Sequence, residues 1–192
     1  MRRLLPYVVI ILLINLCSCW HKKDIDVEKI GYSKEKKDKA EETIKLNRDQ
    51  IEVNRDVIAK YIERHKWQME ETKTGLYYMI YARTSDIEVQ SGCEVEFSFK
   101  TSLMNGDILY DSNATGNRKM IIDKNQEEAG LNEGLKLMRK GEKAYFILPP
   151  HLAFGVAGDS YKVPPYSILV YEIEIVDIKS GSEKSESDNV VL

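Results

Sequence analysis

The chain has 192 residues, with 28 Lys and Arg against 31 Asp and Glu, for a formal net charge of −3. That length suits one domain with appendages, and 43% apolar residues are enough for a packed core, which excludes wholesale disorder. The slightly acidic balance carries no electrostatic footprint for nucleic acid, and three cysteines make no disulfide framework.

Arg2 and Arg3 precede Leu4–Leu16, a run that is apolar apart from Tyr7 and Asn15. Thirteen such residues span roughly 20 Å as a helix, short of the ~30 Å hydrocarbon core. Residues 1–18 therefore read as a signal peptide rather than a membrane span. Leu16-Cys17-Ser18-Cys19 is similar to a bacterial lipobox, with an aliphatic residue three before Cys19 and a small one directly before it. That makes Cys19 the lipidated residue and the membrane a partner through the anchor. The alternative is an ordinary signal with an incidental cysteine. Cleavage before Cys19 removes two Arg and no acid, leaving 174 residues with 26 bases against 31 acids, net −5. Cys93 is then the one thiol of the folded part, expected to be buried and structural.

Residues 19–39 are highly charged and read as a tether. Residues 40–71 follow as a long amphipathic helix: Ala40–Trp67 holds no Gly or Pro, and Ile44, Ile51 and Ile58 recur every seven residues. Val57, Tyr61 and Ile62 thicken the stripe. It has two possible uses, packing on the following domain or pairing in a homodimer through residues 44–62.

Residues 72–179 carry strand signals. Leu76–Tyr81 is apolar and aromatic on both faces, and Val95, Phe97 and Phe99 alternate with polar residues. Met120–Ile122 is a short strand, and Ala144–Leu148 is stopped by Pro149-Pro150. Leu169, Tyr171, Ile173 and Ile175 mark the last strand. Leu131, Leu135 and Met138 predict one short helix, with Gly141 as its stop. The sum is an α+β architecture, an antiparallel sheet of about five strands with one helix laid across it. Residues 180–192, rich in Ser, Glu and Asp, read as a disordered tail.

Familiar catalytic groups are missing from this pattern. His21, His65 and His151 lie far apart in sequence and in no catalytic motif, and no Gly-rich phosphate loop is present. No metal site and no cofactor are expected. Glu127-Glu128 offers paired carboxylates, though adjacent acids in a polar loop are more often simply solvated.

Four segments remain. Asn105-Gly106 is a hairpin turn with Tyr110-Asp111-Ser112 after it, and Gly130–Lys143 follows. Leu148-Pro149-Pro150-His151-Leu152-Ala153-Phe154-Gly155 comes next, then Val163-Pro164-Pro165-Tyr166 running into Tyr171. In this order and spacing, from about Gly92 to Lys179, the chain resembles the FKBP-type peptidyl-prolyl cis/trans isomerases. The layout of signal, tether, helix and domain is similar to the gliding-motility-associated FKBP-type lipoproteins of the Bacteroidetes.

The resemblance implies an antiparallel half-barrel sheet wrapped on one short helix, here preceded by the long amphipathic helix. It implies a pocket floored by Leu131 and walled by Phe99, Tyr110, Phe154, Val163 and Tyr171, with Met120 beside them. Asp111 corresponds to the family's pocket acid, although an Asp-Ser after a hairpin can instead close an Asx turn. Backbone N–H groups near Glu128 are placed to hold a substrate carbonyl, and residues 155–163 form a flap. The implied catalytic set is Tyr110, Asp111, Leu131, Phe154 and Tyr171, and the implied substrate-binding set is Phe99, Met120, Glu128 and Val163. Partners would be proline-containing polypeptides, and the location a bacterial cell envelope, lipid-anchored and facing the periplasm. Phe99 and Phe154 stand where many members carry Tyr, and Glu127-Glu128 where active members usually carry an aliphatic pair. Those departures weaken the polar fixings of the pocket and leave open a chaperone or docking module with little turnover.

Overall fold

The computed structural model of the protein describes residues 34–124 and 128–180. The expected signal peptide, the Cys19 anchor, most of the tether, Glu127 and nearly all of the tail lie outside the described residues. The chain divides into two compact units, residues 1–48 and 49–192.

Helix α1 covers Lys34–His65, so it begins inside the expected tether and ends six residues before the expected limit of 71. The early start follows from composition, since residues 34–39 hold charged helix formers and no Gly or Pro. The end is a backbone stop. Lys66 takes a left-handed conformation at φ 56, and the Trp67 N–H donates to the Ile62 carbonyl at 3.1 Å, six residues spanned as in a Schellman turn. Arg64 and His65 place bases at the carbonyl end of the helix dipole.

Seven strands follow rather than about five: β1 (Glu70–Glu71), β2 (Tyr77–Ala82), β3 (Glu94–Leu103), β4 (Ile108–Asp111), β5 (Arg118–Ile121), β6 (Lys143–Leu148) and β7 (Leu169–Lys179). The added ones, β1 and β4, are too short and too exposed to show a period of two. The sheet runs β1-β2-β6-β7-β3-β4, with β5 also on β3, and every pairing is antiparallel. Strand β3 organises one end. Its first half pairs with β5 and its second with β4, and the four-residue helix α2 (Ser112–Thr115) fills the switch between them. There the Phe99 N–H donates to Ser112 Oγ at 3.1 Å instead of to a strand carbonyl.

Helix α3 (Ala129–Leu135) lies across the sheet on Gly130, Leu131, Gly134 and Leu135. The approach is close: a Cβ on Gly134 would stand 2.6 Å from the Phe146 ring. The helix ends six residues before Gly141, and Met138 reaches the core from the turn after it, with its N–H on the Leu135 carbonyl at 3.0 Å.

Alternation along β6 and β7 sends side chains to both faces, and both are covered. Phe146, Leu148, Leu169, Tyr171 and Ile173 face the α3 core. Ile147 and Val170 face Ile58 and Tyr61 of α1, with Ile62 and Trp67 alongside. The amphipathic stripe therefore packs on the domain only at its C-terminal end. Ile51, Val53 and Val57 stay 48%, 56% and 43% exposed.

Candidate active site

A cavity of about 480 Å³ opens between the sheet and the start of α3. Its aromatic walls are Phe99 from β3, Tyr110 from β4, Tyr171 from β7 and Phe154 from the turn after β6. Register explains the grouping, because Tyr110 and Tyr171 are both paired with Thr101, one on each side of β3. Arg118, Glu128, Ala153 and Asp159 complete the lining.

Five of the nine residues expected from the resemblance thus meet in one place: Phe99, Tyr110, Glu128, Phe154 and Tyr171. Met120, Leu131 and Val163 do not line the cavity. They are buried in the core behind it at 1%, 0% and 4% exposure, so Leu131 supports the cup from below without forming its surface. Asp111 is turned out of the cavity. Its carboxylate accepts from the Asn113 N–H at 2.8 Å and caps α2, and it lines a separate polar groove beside Lys100 and Glu172. The Asx-turn alternative is the geometry found.

The charges in the cavity come from residues that pattern reasoning passed over or assigned differently. Glu128 precedes α3 without capping it. Its side chain, 3% exposed, accepts from the Tyr171 hydroxyl at 2.7 Å and pairs with Arg118 at 3.3 Å. The Arg118 guanidinium lies 5.5 Å from the Phe99 ring centre and 5.7 Å from that of Phe97. Burial pushes the Tyr171 hydroxyl well above its ordinary pKa, and the Glu128 charge adds to this.

Asp159 anchors the loop that was expected as the flap. One carboxylate oxygen accepts from the backbone N–H groups of Tyr161, Lys162 and Val163 at 2.9, 2.8 and 2.7 Å, and the other accepts from the Tyr110 hydroxyl. Burial pushes this carboxyl up, but the Tyr110 hydroxyl and the three N–H groups outweigh it and hold the pKa at about 2. Tyr110 is pushed up to about 12, first by burial and then by Asp159. Gly158 makes the turn possible: it sits at φ +68, and a Cβ there would collide with the Val163 carbonyl. Lys162 reaches across the same edge, 5.1 Å over the Tyr110 ring and 3.0 Å from the Leu109 carbonyl. No motif announces Arg118. A Gly-Asp pair in a loop is the only trace that Asp159 leaves in the sequence.

The site is an aromatic cup with two tied carboxylates and a guanidinium at its edge. Neither described histidine belongs to it, since His65 bonds to the Tyr61 carbonyl and His151 to that of Thr74. Among the described residues no cluster of three or more His, Cys, Asp or Glu side chains is placed to bind a metal.

A family model for the FKBP-type peptidyl-prolyl cis-trans isomerase matches residues 85–176. A probable FKBP-type peptidyl-prolyl cis-trans isomerase of Haemophilus influenzae is 31% identical over 113 residues, 59% of this chain and 46% of that protein. The macrophage infectivity potentiator of Trypanosoma cruzi is 29% identical over 120 residues, 61% of this chain and 60% of that protein. The chain spans about half the length of the curated relatives it matches. In fold it is similar to the crystal structure of FkpA from Escherichia coli, at TM-score 0.60 and 23% identity over 92% of this chain and 83% of that one.

Proposed function

We propose that this protein is a peptidyl-prolyl cis-trans isomerase of the FKBP type, a reading supported by the family model that matches residues 85–176 and by similar proteins of that type, and that it accelerates cis/trans rotation of X-Pro bonds in polypeptides that enter the cavity. The observation that carries the reading is the convergence of Phe99, Tyr110, Phe154 and Tyr171 on one cavity. Amide resonance sets a rotation barrier of ~18–20 kcal/mol, while the two X-Pro isomers differ by only ~0.5–1 kcal/mol. Resonance also separates charge between the amide oxygen and nitrogen, and the twisted transition state loses that separation. An apolar cup solvates the planar amide poorly and the twisted one better, so it lowers the barrier without a nucleophile. The pyrrolidine ring fills the cup, and the flap edge at Asp159 and Tyr110 borders the segment that enters.

Exchange between cis and trans in a short Leu-Pro peptide, followed by two-dimensional NMR, tests this reading. Catalytic amounts of protein accelerate exchange, and Tyr110→Ala with Phe154→Ala reduces the acceleration at least tenfold. Folded protein that leaves exchange at the uncatalysed rate would overturn the isomerase reading.

One observation favours a second reading, a proline-segment-binding chaperone or docking module with little turnover. Phe99 and Phe154 have no hydroxyl, and those of Tyr110 and Tyr171 already donate to Asp159 and Glu128. The aromatic walls therefore offer a substrate little polar hold. The NMR measurement separates the two, because a binding module broadens peptide signals without exchanging them.

We further infer that the domain is held at a bacterial envelope membrane, facing the periplasm, and acts on exported proteins, with a gliding-motility machinery as one setting. Support comes from Leu16-Cys17-Ser18-Cys19 behind a short apolar run and from the charged segment after it. A homodimer through residues 44–62 is supported by the exposure of Ile44, Ile51 and Val57.

A further inference from the structure

We propose that Lys162 is a specificity-determining residue of this cavity: its ammonium group, held at the rim, takes a carboxylate of the polypeptide one or two residues beyond the X-Pro pair, so the site favours proline segments with an acidic neighbour. The inference rests on the reading of the cavity as a proline site.

The backbone fixes where this side chain starts. The Lys162 N–H is the middle one of the three that Asp159 gathers, at 2.8 Å, with those of Tyr161 and Val163 on either side. The other oxygen of Asp159 accepts from the Tyr110 hydroxyl, so the loop is tied to a wall of the cavity. From there the side chain crosses to β4. Its Nζ donates to the Leu109 carbonyl at 3.0 Å and lies 5.1 Å from the centre of the Tyr110 ring and 5.7 Å from that of Tyr161. A carbonyl and two rings hold the cation in place without neutralising it.

Two features make this cation a recognition group as well as a clamp. An ammonium group carries three N–H donors, and the Leu109 carbonyl occupies one. Asp159, three residues away in sequence, has both oxygens committed to backbone N–H groups and to Tyr110. Lys119, Lys136, Lys140 and Lys143 each lie within 3.2 Å of a carboxylate oxygen, whereas Lys162 pairs with no carboxylate among the described residues. A carboxylate on the substrate meets an ammonium group already positioned, so little side-chain freedom is lost on contact.

Position decides which part of the substrate is read. Tyr110 lines the cavity and Lys162 does not, so the ammonium group lies at or beyond that wall. A proline ring in the cup touches the wall at about 4 Å, and an extended chain advances roughly 3.3 Å per residue. The side chain within reach of Nζ therefore belongs to a residue just outside the X-Pro pair.

The experiment uses the full chain and short Leu-Pro peptides that carry Glu or Gln at either of the two positions before the pair or the two after it. Isomerisation is read by NMR exchange and binding by titration. At one position or more, kcat/KM for the Glu peptide exceeds that for the Gln peptide about threefold, the size of one solvent-exposed charge contact. Raising salt from about 0.01 M to about 1 M removes the difference. Lys162→Met, which keeps the apolar stem, abolishes the preference; Lys162→Arg keeps it, and Lys162→Glu reverses it. A clamp that only holds the loop would lower both peptides alike in Lys162→Met and leave their ratio unmoved, which overturns the proposal. So does a Glu preference that is absent at every position, or one that salt does not diminish. If the protein binds the peptides but isomerises none, the isomerase reading falls, and the ratio of dissociation constants decides the role of Lys162. If it binds none, both readings fall.

Discussion

Asp159 shows how much one side chain holds together. It joins the flap backbone to Tyr110 through four hydrogen bonds to its two oxygens. Its pKa of about 2 lies below the ~3.9 of an unfolded Asp. A lowered pKa stabilises the fold fully above the unfolded value, and the contribution is lost as pH falls through the native one. Asp159→Asn therefore costs roughly 1–3 kcal/mol at pH 7. The gap between the two proteins shrinks as pH drops from about 4 towards 2. Urea unfolding of both proteins at several pH values checks this, and a gap that does not change with pH would contradict it. Tyr110 works in the other direction: its raised pKa of about 12 makes its contribution complete below pH ~10, lost only as pH rises through 12.

Helix α1 is where element-scale reasoning had two answers, and the structure divides them along its length. Ile58 and Tyr61 are buried against Ile147 and Val170, so this part of the stripe belongs to the domain. Ile44 and Ile51 are 59% and 48% exposed, which leaves that part available to a second copy. Sedimentation tests the pairing. The proposed pairing predicts that the full chain sediments as a dimer, and that Ile44→Lys together with Ile51→Lys gives a monomer that still folds, because neither side chain is in the core. A chain that is monomeric at every concentration would remove the dimer. The seven-residue recurrence marked the helix, but only packing against β6 and β7 distinguishes Ile58 from Ile51.

At the scale of the molecule, the described domain and the chain before it carry different predictions. The proposed isomerase reading rests on the cavity, whereas the proposed anchor rests on Cys19 and the apolar run before it. The proposed anchor predicts that labelled palmitate is incorporated into the full chain expressed in a bacterial host, and that Cys19→Ser abolishes the label and moves the protein to the soluble fraction. Label that persists in the variant would show that Cys19 is not the acceptor. Isomerase activity on a short peptide is expected to be unchanged between the two, since both faces of the central strands are covered by side chains of the described residues.

Periodicity was sufficient for β3 and β7, because alternation along a strand is local and sends Phe97, Phe99, Tyr171 and Ile173 to the core wherever the strand is placed, whereas the grouping of the aromatic walls was implied only by the family resemblance. The antiparallel sheet crossed by one short helix was legible for the same reason. The polar half of the site was not. Glu128 meets Tyr171 across 43 residues of chain, and Tyr110 meets Asp159 across 49. Which carboxylate enters the cavity was decided by how two turns close: the one after β4 captures Asp111 for α2, and the one before α3 releases Glu128 inward. A turn's geometry depends on the strands it joins, so the inward faces of the strands follow from local pattern, and the charges beside the aromatic cup follow from the folded chain.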